Sequence, residues 1–253
     1  MMNLTNYSGI SVSISGGKDS QTILGLIADA VKEQNYGGRL IAIHADTGAE
    51  WAESLPHCRM LCEHYRIPLF VAVPFRALPD HIEKRCRELA IQGRKGGWPS
   101  SACRYCTSDC KRSPIQKVIR AEFPGLLGKS VLSVTGERRE ESSKRAKLPE
   151  FDSNKTLTTR TRLVTNWRPI LDYKLPDVWR HIAGTGLPRH VAYDRGNDRL
   201  SCAMCVLATD NDIRNGAAAV PELAARFLQI EKDTGHTFKN GKSLAQILQG
   251  VTA

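Results

Sequence analysis

The sequence predicts an α/β fold: a Rossmann-like, twisted parallel sheet with helices on both faces, followed by a cysteine-containing C-terminal extension. Three observations carry this. Short β-branched runs alternate with longer segments of helical period, the order that builds a parallel sheet through crossover helices. Apolar residues make up 41% of the 253, enough for a sizeable core. Three of four strand-like runs end in residues suited to binding: Ser15-Gly16-Gly17, Asp46-Thr47-Gly48 and Gly136-Glu137-Arg138-Arg139. Open parallel sheets bind ligands at those carboxyl ends.

Ser11–Ile14 reads as the first strand. Lys18 to about Lys32 follows as a helix, because Ile23, Leu24, Ile27 and Val31 share one face. Asn35–Gly38 is a turn, Leu40–His44 the second strand, Trp51–Tyr65 a helix and Leu69–Val73 the third strand. Residues 76–93 read as helical, and Gly93–Ser101 as a loop. Residues 111–122 form a helix and Ser130–Thr135 the fourth strand. The charged, Thr-rich residues 140–166 show no clear period and are expected to form a long mobile loop. Residues 172–183 and 220–233 are helical. The expected division is an adenine-nucleotide-binding domain over 1–206, with 207–253 a helical extension of the same unit.

The net charge is +10, from 36 basic and 26 acidic residues, which suits a polyanionic partner such as a nucleotide or nucleic acid, and equally an ordinary basic enzyme. No run of about 18 apolar residues is present, so no membrane span is expected. Met1–Ser8 lacks the basic-then-apolar signal pattern, and a cytoplasmic protein is the expectation.

The stretch Ser15-Gly16-Gly17-Lys18-Asp19-Ser20 stands where a strand gives way to a helix. Glycines let the backbone turn sharply beside a ligand, and the helix N-terminus offers free N–H groups and a positive dipole end to phosphate. Lys18 adds a mobile charge, while Ser15 and Ser20 add hydroxyl donors. The spacing differs from a Walker A loop. An isolated glycine pair would read as a structural turn; six matching residues point to a phosphate site.

This stretch resembles the pyrophosphate-loop motif of the adenine-nucleotide α-hydrolase-like superfamily, whose members cleave ATP between its α and β phosphates. The likeness extends to the phosphoadenosine phosphosulfate reductase family through "HADTGAEWAE", "TGERREESSKRA", "NWRPILDYKLPDVWRHIAGTGLPRHVAYDRG" and "CAMC", covering roughly residues 10–206. The resemblance implies that Ser15, Gly16, Gly17, Lys18, Asp19 and Ser20 hold phosphates, with Asp46, Thr47 and Gly48 beside the nucleotide. It implies that Gly136, Arg138, Arg139 and Arg145 contact phosphate or sulfate, a task the planar guanidinium fork suits. Lys18, Asp19, Arg138 and Arg139 are the catalytic candidates, and Mg2+ is expected with ATP.

Eight cysteines without a secretion signal suggest metal or redox chemistry. Cys58, Cys62 and Cys86 fall at helical positions suited to packing. Cys103-x2-Cys106 and Cys202-x2-Cys205 form two CxxC pairs, compatible by spacing with zinc or a 4Fe-4S cluster. The resemblance favours the cluster. Iron–sulfur members carry a Cys-Cys pair at this place, where the chain has Cys106-Thr107, so Cys103 is expected to supply the missing ligand. Cys110 is a fifth candidate, as spare ligand or persulfide carrier. DNA phosphorothioation subunits and tRNA thiolation enzymes of the superfamily bind such clusters too.

Three readings follow. The first is an ATP pyrophosphatase or sulfurtransferase that adenylates a nucleic-acid acceptor and takes sulfur from a cysteine desulfurase or another donor. The second is a phosphoadenosine or adenosine phosphosulfate reductase, opposed by the absence of any cysteine after Cys205 to match that family's catalytic tail. His236 stands in that stretch without a cysteine and is expected to be structural. The third is a nucleotide- and DNA-binding regulator without turnover, opposed by the intact loop.

Overall fold

The structure is a computed structural model that describes residues 2–94, 96–125 and 129–249. Lys95 of the expected Gly93–Ser101 loop, and the last four residues of the expected extension, lie outside them. In chain order the elements begin β1 (Gly9–Ile14), α1 (Lys18–Glu33), β2 (Arg39–Ala45), α2 (Ser54–His64), β3 (Leu69–Ala72), α3 (Leu78–Ile91) and α4 (Tyr105–Thr107). They continue with α5 (Ser113–Glu122), β4 (Lys129–Val134), α6 (Ser143–Ala146), β5 (Phe151–Ser153), β6 (Arg162–Trp167) and α7 (Leu175–Thr185). The last are α8 (Asp210–Ala219), α9 (Pro221–Thr234) and α10 (Leu244–Gln249).

The chain forms two compact units. The first comprises Met1–His44, Leu55–Ala72 and Ile115–His190; the second comprises Ala45–Ser54, Val73–Pro114 and Val191–Ala253.

The first unit holds a six-stranded sheet in the order β3-β2-β1-β4-β6-β5. β1 pairs in parallel with β2 and β4, β4 in parallel with β6, and the edge strand β5 antiparallel with β6. Strand period 2 sorts the side chains onto two faces. Ile10, Val12, Ala42, Leu132 and Val134 pack with Ile23, Leu24 and Ile27 of α1 and Leu61 of α2. Ile41, Ile43, Val131 and Val164 pack with Ile119 of α5 and with Phe123. Helices therefore cover both faces, and the expected Rossmann-like architecture holds. The strand order reverses between β1 and β4, which makes their carboxyl ends the topological switch point.

Residues 140–166 differ from the expected loop: they contain α6, β5 and most of β6. The reason is a buried charge in the strand pattern. Arg162 is only 6% exposed and satisfied locally, its Nε and Nη2 donating to Leu157 O and its Nη1 to Phe123 O. Leu163 is exposed instead, so the apolar alternation is blurred and the parallel pairing to β4 decides the strand.

The second unit gathers α3, α8, α9 and α10 around Phe227, Phe238, Ile82 and Ile247. Trp98 packs on both phenylalanine rings. Thr209 caps α8 by accepting from Asp212 N at 3.1 Å, a start signal that sequence reading passed over. His236 accepts from Gly96 N at 2.7 Å, the structural role expected of it.

Candidate functional site

In the first unit the loop after β1 is shaped by its own side chains. Gly16 lies at φ +78°, a left-handed conformation that glycine takes without strain. Ser20 Oγ donates to Gly17 O at 2.8 Å and accepts from Ser15 N at 3.1 Å, closing the loop over the first turn of α1. Gly17 caps α1 without a side-chain hydrogen bond. A ligand anion there gains about 0.3–1 kcal/mol from the helix dipole, and about 2 where partly buried. Lys18 is buried, its Nζ 3.7 Å from Asp19 Oδ2.

The segment after β4 closes on this loop. A Cβ at Gly136 would lie 2.9 Å from Asp19 O, so glycine is required for the approach. Arg138 is 4% exposed, and its Nε donates to Asp19 Oδ1 at 2.6 Å while Nη1 reaches Glu140. Burial disfavours its charge, but Asp19 and Glu140 outweigh that and hold the guanidinium above the ordinary arginine range. Arg139 pairs with Asp172 at 2.6 Å and donates to Ala146 O and Leu148 O, bracing the segment it sits on. Arg145 pairs with Glu141 and lies 3.9 Å from Glu137. Arg168, missed in the sequence although it sits in "NWRPI", joins Glu137 and Asp152 at 2.8 and 2.7 Å. Arg138 thus ties this segment to the loop, while Arg139, Arg145 and Arg168 brace the segment itself.

Behind Gly16 lies a group to which sequence reading assigned no role, although His44 and His190 fall within the quoted family segments. A Cβ there would meet His57 Cδ2 at 3.4 Å, Cys58 Sγ and His190 Cδ2 at 3.5 Å. His44 Nδ1 lies 3.1 Å from Ile14 O and 3.6 Å from Cys58 Sγ. Burial pulls the His57 pKa below its ordinary 6.5, which favours the neutral ring.

Asp46, Thr47 and Gly48 belong to the second unit. Gly48 N donates to Asp46 Oδ1 at 2.9 Å, and Gly48 has φ +74°. Thr47 is fully buried, its Oγ1 donating to Glu50 Oε1 at 2.9 Å. Cys202 Sγ donates to the same Glu50 oxygen at 3.3 Å, and Lys111 Nζ lies 3.2 Å from it. Burial, then Glu50, pushes the Cys202 thiol up. Burial opposes the Lys111 charge, yet the Glu50 carboxylate beside it raises the ammonium. Glu50 was not singled out in the sequence. The glutamate stands two residues past the "DTG" motif, and only the fold brings it to Cys202.

All four expected cysteine ligands and Cys110 lie in this unit. A charge on Cys205 would raise the Cys106 and Cys202 thiols, and one on Cys106 would raise Cys110. Burial pushes the Cys110 thiol up to about 11. Cys103 is exposed on the turn Ser100–Cys103, with Arg85 Nη2 at 4.0 Å from its sulfur. Among the described residues no group of three or more His, Cys, Asp or Glu is gathered closely enough to hold a metal ion. The donor chemistry fits a thiolate-ligated metal centre, but the four sulfurs do not form a ready coordination sphere. Cys58 and Cys62 are buried in the first unit's core and Cys86 in the second's, as packing cysteines.

Among the described residues no helix is long and apolar enough to cross a membrane. Residues 9–208 match the family described as the phosphoadenosine phosphosulfate reductase domain. An adenosine 5'-phosphosulfate reductase of Neisseria meningitidis is 27% identical over 199 residues, 76% of this chain and 71% of that protein. An uncharacterized protein of Methanocaldococcus jannaschii is 27% identical over 231 residues, 91% of this chain but 49% of that protein, so the chain spans about half the relative's length. The U34-tRNA thiolase NcsA of Methanococcus maripaludis, solved with its 4Fe-4S cluster, superposes with a TM-score of 0.52 at 16% identity, covering 98% of this chain and 72% of that one. At that identity the likeness is one of fold.

Proposed function

The chain belongs to the phosphoadenosine phosphosulfate reductase domain family, of the pyrophosphate-loop superfamily, and from that premise we propose that it is an ATP-cleaving sulfurtransferase. The observation that carries this reading is the loop Ser15–Ser20 at the β1/β4 switch point, with Gly136 and Arg138 packed against it. An anionic triphosphate is the ligand such a helix N-terminus and a buried lysine suit. An acceptor oxygen on a nucleic acid attacks the α phosphorus, the α–β bridging P–O bond breaks, and pyrophosphate leaves with the electron pair. The Lys18 ammonium and the first amides of α1 stabilise that leaving charge. Arg138 holds Asp19 and offsets its negative charge beside the phosphates. A Mg2+ ion bound with the nucleotide would neutralise the remaining phosphate charge. A persulfide sulfur from a donor such as a cysteine desulfurase then attacks the activated carbon, AMP leaves, and a second thiol cleaves the S–S bond to free the thiolated product.

In this reading Cys103, Cys106, Cys202 and Cys205 hold an iron–sulfur cluster, with Cys110 as a spare ligand or persulfide carrier. The thiol donor set and its location in a single unit support it, and NcsA offers a precedent of the same fold. When bound, the group supplies soft Lewis acidity toward sulfur. Gathering the ligands requires Cys103 to leave Arg85. The test is pyrophosphate release from ATP and Mg2+ by anaerobically purified protein with nucleic acid present. Release that depends on nucleic acid supports the reading, and none at all ends it. The Neisseria meningitidis relative favours a second reading, phosphosulfate reduction, for which sulfite formation from adenosine phosphosulfate is the assay.

A further inference from the structure

The second unit carries a basic pocket that the nucleotide and cysteine sites do not use. Residues 73–114 hold nine Lys and Arg against four Asp and Glu, so half of the chain's net +10 falls in one sixth of its length. A cavity of about 270 Å³ opens within this stretch, lined by Phe75, Arg76, His81, Lys84 and Arg85 together with the carboxylates of Glu88 and Asp109. Phe75 is 96% exposed, an aromatic ring left in water beside the Arg and Lys side chains of this pocket. Two lining residues are held from behind by the buried Tyr105: its ring stacks on His81 at 5.2 Å and 23°, and the Arg85 guanidinium sits 4.6 Å from its centroid. Lys84 pairs with Glu88 at 2.6 Å and His81 lies 3.7 Å from Asp109, whereas Arg76 makes no ion pair among the described residues.

We propose that this pocket seats a single-stranded stretch of nucleic acid, one base stacking on Phe75 and the flanking phosphates meeting Arg76 and Lys84. Exposed aromatic faces and a basic groove are the two components of sequence-tolerant single-strand binding. A paired duplex hides its base faces and leaves the ring without a partner. An acidic peptide would satisfy the cations but not Phe75. Arg85 also contacts Cys103, so the strand enters next to a thiol of the candidate sulfur site. The inference rests on the reading that the acceptor is a nucleic acid, and it specifies which form and where.

Fluorescence anisotropy of labelled 12-mer single strands, RNA and DNA, against the matched duplexes tests it without ATP. Single strands are expected to bind at least tenfold tighter than duplex. Phe75→Ala is expected to weaken single-strand binding about tenfold, since base stacking contributes about 1–3 kcal/mol. Arg76→Ala should weaken it and lower the salt slope by about one. Arg180→Ala, an exposed arginine of the first unit, should bind as the parent does. The proposal is overturned if Phe75→Ala binds like the parent, if duplex competes equally, or if polyglutamate displaces the strand at equal charge. Single-strand binding without pyrophosphate release would keep this pocket and discard the activity. Pyrophosphate release with unaltered binding by Phe75→Ala would do the reverse.

Discussion

In the first unit the residues expected to hold phosphate are already fastened. Ser20 ties the loop, Gly136 lies on Asp19, and Arg138 spans Asp19 and Glu140. In the second unit the residues expected to hold a metal are apart, with Cys103 exposed beside Arg85 while Cys202 is buried against Glu50. The contrast shows two ways of building a site. Backbone turns and buried ion pairs can preorganise an anion site before its ligand arrives. Thiols brought together without a metal must either be protonated or repel one another, and here burial keeps Cys106, Cys110 and Cys202 protonated. The first site should therefore break when its frame is cut, and the second when a ligand is removed.

The largest effect is expected from Lys18→Ala, which should lower pyrophosphate release about 100- to 1,000-fold, the scale for loss of one electrostatic contact to developing charge. Thermal melting should barely change if Lys18 acts on the ligand. A collapse in stability instead would place it in the frame. Arg138→Met comes next. It leaves Asp19 and Glu140 without their shared cation, and a stability loss of about 3 kcal/mol is expected in urea titration, because breaking a buried pair strands a charge. Gly136→Ala adds a Cβ 2.9 Å from a carbonyl oxygen, so a loss of about 1–3 kcal/mol with weakened nucleotide binding should follow.

The second unit is sharpened by metal analysis. Protein reconstituted anaerobically with iron and sulfide should carry about four irons per chain, the content of a 4Fe-4S cluster. Cys202→Ala should lose the brown colour, and Cys103→Ala should lose it equally. Full iron in Cys103→Ala would transfer the fourth place to Cys110. Uptake of zinc at about one per chain would make the thiols a structural clip.

The smallest effect concerns pH. His57 has a folded pKa below 6.5, so the unfolded chain takes up its proton first as the pH falls. Its contribution is fully present above about pH 6.5 and is lost as the pH drops through the folded value. The urea midpoint of the parent should fall across that window, and His57→Gln should flatten the slope.

The legibility of the sequence follows the same divide. The phosphate loop could be read because six adjacent residues carry its whole chemistry, and α1 because Ile23, Leu24 and Ile27 repeat on one face. β6 could not, since the buried Arg162 and exposed Leu163 invert the usual pattern and only pairing to β4 settles it. Glu50, Lys111 and Cys202 are distant in sequence and carry no shared period, so their meeting at one carboxylate oxygen is a tertiary fact. The histidines behind Gly16 come from the end of β2, from α2 and from residue 190, and that they meet is a tertiary fact of the same kind.

The central claim is that the N-terminus of α1 grips the triphosphate of an adenine nucleotide. Crystals soaked with a non-hydrolysable α,β-methylene ATP analogue test it most directly. Phosphate oxygens within hydrogen-bonding distance of the Gly17 and Lys18 amides and of Lys18 Nζ are the expected result. Ordered phosphates bound at any other place on the chain would contradict the account.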